Sequence, residues 1–178
     1  NSGSMESPLI KGGSETRWEK LLRYASMICD LAPLIDKAFD LCWLNQLTTG
    51  KYLGEYFIRN IRSQEDVKEC FKDQPYGISP LIKRINEVIT QYRSTLEEKD
   101  LLLYIATDGI NNENGQETPG AMKEWVKNTF AIDPVLRQHV KINFMLLSDE
   151  QKVIDEYDGV DRLKGPNGEH LFIDVTSP

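Results

Sequence analysis

No stretch of this sequence approaches the roughly 20 consecutive apolar residues that a membrane-spanning helix needs, so no bilayer span is expected. Cysteine is scarce as well. The three present, Cys29, Cys42 and Cys70, are odd in number, widely spaced and set among hydrophobic residues. That pattern does not resemble a disulfide framework or a zinc cluster; it reads as core residues in a reducing compartment, the cytoplasm. An excess of positive charge is also missing. Against 28 Asp and Glu stand 21 Lys and Arg, a net charge of -7 that repels phosphate backbones and makes nucleic acid a poor partner. There is no Asn-x-Ser/Thr sequon, no secretory hydrophobic segment and no Gly-rich phosphate loop behind a strand. The two histidines, His139 and His170, lack neighbouring Cys or carboxylates at metal-binding spacing and are assigned no chemistry.

What the chain does contain is enough for one α/β domain: 178 residues, 40% hydrophobic and 28% charged. Residues Asn1 to Glu15 carry Gly and Ser without a hydrophobic period and are expected to form a loop. Thr16 with Glu19 makes a capping box, followed by Trp18, Leu21, Leu22, Ala25, Ile28, Ala32 and Ile35 along one helical face, with Pro33 bending or ending the helix. Ala38 to Leu44 and Glu55 to Ile61 are expected strands, paired antiparallel at one edge of the sheet. Ser63 with Asp66 opens a short helix, and Ser79 is the expected N-cap of a helix over Leu81 to Leu96. Leu101 to Ala106 is apolar on both faces, the pattern of a central parallel strand covered on each side. Thr118-Pro119 caps a helix holding Trp125 and Val126. Lys141 to Leu147 is a strand, a helix runs from Ser148 to about Leu163, and Leu171 to Val175 is the last strand. Strands alternating with helices predict a doubly wound, mostly parallel sheet flanked by helices. The acidic groups Asp155, Glu156, Asp158 and Asp161 are expected on a solvated helix face.

In such sheets ligands bind beyond the carboxyl ends of the strands, so the loops there carry the functional argument. Asp108 follows a buried strand, Ser79 precedes a helix, and Ser2 and Ser4 lie in the loop before the first helix. All offer oxygen, the donor that hard cations prefer. Plainer accounts stand beside this one. Asp108-Gly109 also suits an ordinary turn, Ser79 a cap, and Ser-Gly-Ser-Met a vector-derived leader with Met5 as the start.

Asn1-Ser2-Gly3-Ser4-Met5 resembles all but the first residue of the D-x-S-x-S loop of von Willebrand factor type A domains. Gly77-Ile78-Ser79-Pro80-Leu81 resembles their G-x-T-P-L loop and Thr107-Asp108-Gly109 their T-D-G loop, in the same order. Arg17-Trp18, Trp43-Leu44-Asn45 and Phe172-Ile173-Asp174-Val175-Thr176 are similar to intracellular members, so the likeness spans nearly the whole chain. The resemblance implies a Rossmann-like sheet with a metal-ion-dependent adhesion site. Ser2, Ser4, Ser79 and Asp108 would bind Mg2+ (or Mn2+ or Ca2+), and a partner protein would complete the coordination with an Asp or Glu. It further implies a metal-loop remnant and linker at 1–15, one domain over 16–178, and a hydrophobic first strand ending in aspartate ahead of Asn1. Ser79 departs from the family's threonine, keeping the oxygen but with a freer χ1.

No enzymatic activity is expected. Two alternatives remain open: a Mg2+-dependent hydrolase or phosphotransferase with Asp108 holding the metal, and a metal-free scaffold with a degenerate site. The first lacks a phosphate loop and any evident pairing of nucleophile and base.

Overall fold

Helix α1 (Arg17–Leu31) starts where the sequence supplies both halves of a capping box. The Thr16 hydroxyl accepts from Glu19 N, and the Glu19 carboxylate accepts from Thr16 N at 2.7 Å. The computed structural model describes residues 2–32 and 38–177, so the expected bend at Pro33 and the contact of Ile35 lie outside the described residues. The chain divides into two compact units, Asn1–Ser79 and Pro80–Pro178. It is mixed α/β, and no helix among the described residues is long and apolar enough to cross a membrane.

In the first unit a 3-10 turn at Gly3–Glu6 precedes α1, and strands β1 (Phe39–Cys42) and β2 (Phe57–Ile61) are followed by α2 (Gln64–Cys70). The antiparallel pairing of β1 with β2 matches the expectation from the sequence, but the two form a two-stranded sheet of their own instead of the edge of a larger one. A register slip between Phe39 and Leu41 lets Asp40 accept the backbone N–H of Asn60, itself at φ 59. Helix α2 is capped by Ser63, whose hydroxyl accepts from Asp66 N. The core gathers Ala25 and Cys29 of α1, Trp43, Leu47, Ile58 and Ile61, and Val67, Cys70 and Phe71. Each large apolar side chain buried there contributes about 1.5–3 kcal/mol. Trp18, Trp43 and Phe71 form a ring triad with centroids 4.8–5.2 Å apart.

The second unit holds α3 (Leu81–Tyr92), β3 (Leu101–Thr107), a short hairpin of β4 (Asn112–Glu113) and β5 (Gln116–Glu117), and α4 (Ala121–Trp125) running into a π turn at Val126–Phe130. Then come α5 (Pro134–His139), β6 (Val140–Leu146), α6 (Gln151–Tyr157) and β7 (Ile173–Thr176). Strands β3, β6 and β7 form a parallel sheet in that order, flanked by helices. One face buries Ile105, Val140, Ile142, Phe144, Leu146 and Ile173, with Phe144 against Tyr157 of α6 at 5.3 Å between centroids. The expectation that β3 is covered on both faces does not hold for its first half. Leu102 and Tyr104 are each 56% exposed, on the face of the sheet they share with the half-buried Lys141 and Asn143 and the exposed Asp174.

Candidate metal centre

The segment before α1 is not the featureless loop expected from its composition. Met5, buried, anchors the 3-10 turn, in which Met5 N donates to Ser2 O and Ser7 N to Ser4 O. Arg17 N donates to Ser7 O and Leu9 N to Glu15 O, tying the turn to the start of the helix. This folding brings the buried Ser2 and the exposed Ser4 together, their hydroxyl oxygens 3.0 Å apart.

Ser79, also buried, lies in the loop between α2 and α3. At the head of that loop Asp73 is buried and takes hydrogen bonds from Thr48 N and from the hydroxyls of Thr48 and Thr49. Burial pushes the Asp73 carboxyl up, but the bonds from Thr49 and Thr48 outweigh it and hold the group below the ordinary carboxylate range. Further on, the Tyr76 hydroxyl donates to Gln46 O, and the Asn45 amide donates to both Tyr76 O and Ile78 O.

Ser79 does not cap α3, contrary to the sequence-based expectation. Pro80 occupies the N-cap, with no side-chain cap bond, and the N–H of Ile82 is accepted by Asn111 Oδ1 at 3.0 Å. Asn111 is buried and also donates to the Thr118 hydroxyl at 3.2 Å, while Thr118 N donates to Asn111 O at 2.9 Å. These bonds close the base of the β4–β5 hairpin, whose Asn114-Gly115 tip has φ 55 and 82, the values of a type I′ turn.

Asp108 follows β3 directly and is 4% exposed. Its loop is held on both sides. Thr107 Oγ1 accepts from Gly109 N, and Tyr157 OH donates to Gly109 O at 3.3 Å. Burial pushes the Tyr157 phenol pKa up, which keeps it protonated and able to donate. Glu156, expected on a solvated face, is instead buried and accepts from Gly120 N and Met122 N. It caps α4 from 34 to 36 residues away, which is why that helix starts after Gly120 and not at Thr118-Pro119.

Of the four expected ligands, Ser2, Ser4 and Ser79 belong to the first unit and Asp108 to the second. The set is three hydroxyls and one carboxylate, all hard oxygen donors suited to Mg2+, Mn2+ or Ca2+. Among the described residues no group of three or more His, Cys, Asp or Glu side chains is placed to hold a metal. Asn45, Asp73 and Tyr157 were not visible as site residues in the sequence. Their hydrogen-bond partners lie 24 to 48 residues away, beyond any local pattern. Comparisons with protein-family models, with curated proteins and with solved structures each found no match.

Proposed function

We propose that this chain is a non-enzymatic protein-binding module of the von Willebrand factor type A kind. Ser2, Ser4, Ser79 and Asp108 hold a divalent cation, and a partner's Asp or Glu completes its coordination. The Ser2–Ser4 hydroxyl pair carries this reading. Oxygens at neighbouring positions of an octahedral Mg2+, bonded at about 2.0–2.1 Å, are about 2.9 Å apart, and these two stand at 3.0 Å. The capping of α3 by Asn111 adds support, since it leaves the Ser79 oxygen uncommitted to the helix end.

With one carboxylate among the four ligands, a bound dication keeps much of its charge un-neutralised and attracts an incoming carboxylate. The protein's part is positional: the 3-10 turn sets the serine pair, and the Thr107 and Tyr157 hydroxyls fix the loop behind Asp108. The doubly wound arrangement of that family is the architecture we assign to the parallel sheet and its helices. A cytoplasmic setting is part of this proposal, on the odd number and wide spacing of Cys29, Cys42 and Cys70.

Calorimetric titration of the full chain with MnCl2 tests the reading. The unsubstituted chain is expected to bind Mn2+, and Asp108→Ala to weaken binding beyond the roughly 10–100-fold that even an outer-shell partner is worth. No heat from the unsubstituted chain, or equal binding by Asp108→Ala, would exclude a metal site at these residues.

A further inference from the structure

We infer that Asn45 is a positioning residue for Ser79, an amide fork that sets the place of this ligand in the loop; the inference rests on the metal-binding reading above. The fork is complete. A side-chain amide has two N–H donors, and Asn45 Nδ2 lies 2.8 Å from Tyr76 O and 3.0 Å from Ile78 O, so it bridges the carbonyls of the two residues that flank Gly77. The second carbonyl belongs to the peptide bond that joins Ile78 to Ser79.

Gly77 belongs to the same device. Its φ of +84° lies in the left-handed region, and a Cβ there would meet Asn45 Cγ, Oδ1 and Nδ2 at 2.8–2.9 Å. The planar amide therefore lies directly against the glycine, and a side chain at position 77 would push it off both carbonyls. Aspartate at position 45 has the same shape but no donors, and it would set carboxylate oxygens against two carbonyl oxygens.

The reason a ligand loop needs this fork is one of tolerance. Metal–oxygen distances are held within about 0.2 Å, whereas ordinary thermal displacement is about 0.5–0.9 Å along each axis. Asp73 and Tyr76 already fasten the head of the loop to residues 46–49. Asn45 acts at the other end, next to Ser79, so its loss leaves the loop attached but its last residues loose.

Mn2+ affinity of the full chain, read from the paramagnetic resonance of free Mn2+, tests the fork with Asn45→Asp and Asn45→Ala. About tenfold weaker binding is expected in each. In the unsubstituted chain, the Asn45 side-chain amide signals are expected to shift with added Mg2+ along the same curve as the Ser79 backbone amide, a response that a purely structural residue would not give. If the variants fail to fold, this titration decides alone. Asn45 signals that stay still at saturating Mg2+, or folded variants that bind Mn2+ as the unsubstituted chain does, overturn the fork and leave the metal reading intact. A chain that binds no Mn2+ removes both.

Discussion

Asn111 Oδ1 accepts the backbone N–H of Ile82 at 3.0 Å, so the loop that follows Asp108 supplies the cap of α3 from 29 residues away. Caps of this kind are worth about 0.5–2 kcal/mol. Asn111→Ala is expected to lower stability by about 1 kcal/mol in urea unfolding, and Asn111→Asp, which keeps the accepting oxygen, to recover most of it. An alanine variant with an unchanged midpoint would show that the contact contributes nothing.

Asp73 makes the loop around residues 45–49 and 73–79 sensitive to acid. Its carboxyl is held below the ordinary value of about 3.9 by bonds from Thr49 and Thr48, against the opposing effect of burial. A lowered folded value means that the carboxylate's contribution is complete above the unfolded value and is lost as pH falls through the folded one. Protection of the Thr48 amide, taken relative to its intrinsic exchange rate, should therefore fall below about pH 4, while Asp73→Asn should show low protection already at neutral pH with little further change in acid. Acid-insensitive protection at Thr48 in the unsubstituted chain would count against this role.

Tyr157 joins core to site, its ring against Phe144 and its hydroxyl on Gly109 O. Tyr157→Phe keeps the ring and removes the donor, leaving the half-buried Gly109 carbonyl with one bond fewer, a cost of about 1 kcal/mol. Equilibrium unfolding should register that loss, and Mn2+ affinity should fall in step if Gly109 steadies Asp108. Affinity unchanged beside lowered stability would confine Tyr157 to the fold.

What could be read directly from the residues was whatever is local in sequence. The Thr16/Glu19 capping box, the Ser63 cap and the apolar runs of β3 and β6 each declare themselves within a few residues, and each is present. The ends of elements went astray where a distant group takes over. Helix α4 begins after Gly120 because Glu156 receives its first donors, and Ser79 gives way to Asn111 at α3. Helix α6 stops at Tyr157 and not near Leu163. Two short elements were passed over although their signals are plain in retrospect. Asp133-Pro134 places a capping carboxylate ahead of a proline at the first helical position of α5, and Asn114-Gly115 is the preferred tip of a two-residue hairpin. Of the site, the residue types could be read, along with their positions beside helices and strands. The forks and caps that hold them could not, because each needs two segments far apart in the chain to meet.

The placement of the tryptophans gives each unit its own optical reporter. Trp18 and Trp43 sit with their ring centroids 5.2 Å apart in the first unit, close enough for their electronic transitions to couple. Trp125, in the second, donates its indole N–H to Asn86 at 2.9 Å. The exciton couplet of the strong far-ultraviolet indole transition then follows the first unit, and single-indole emission from a Trp18→Phe, Trp43→Phe chain follows the second. The order in which the two units lose structure can thus be read from light, without any attached label.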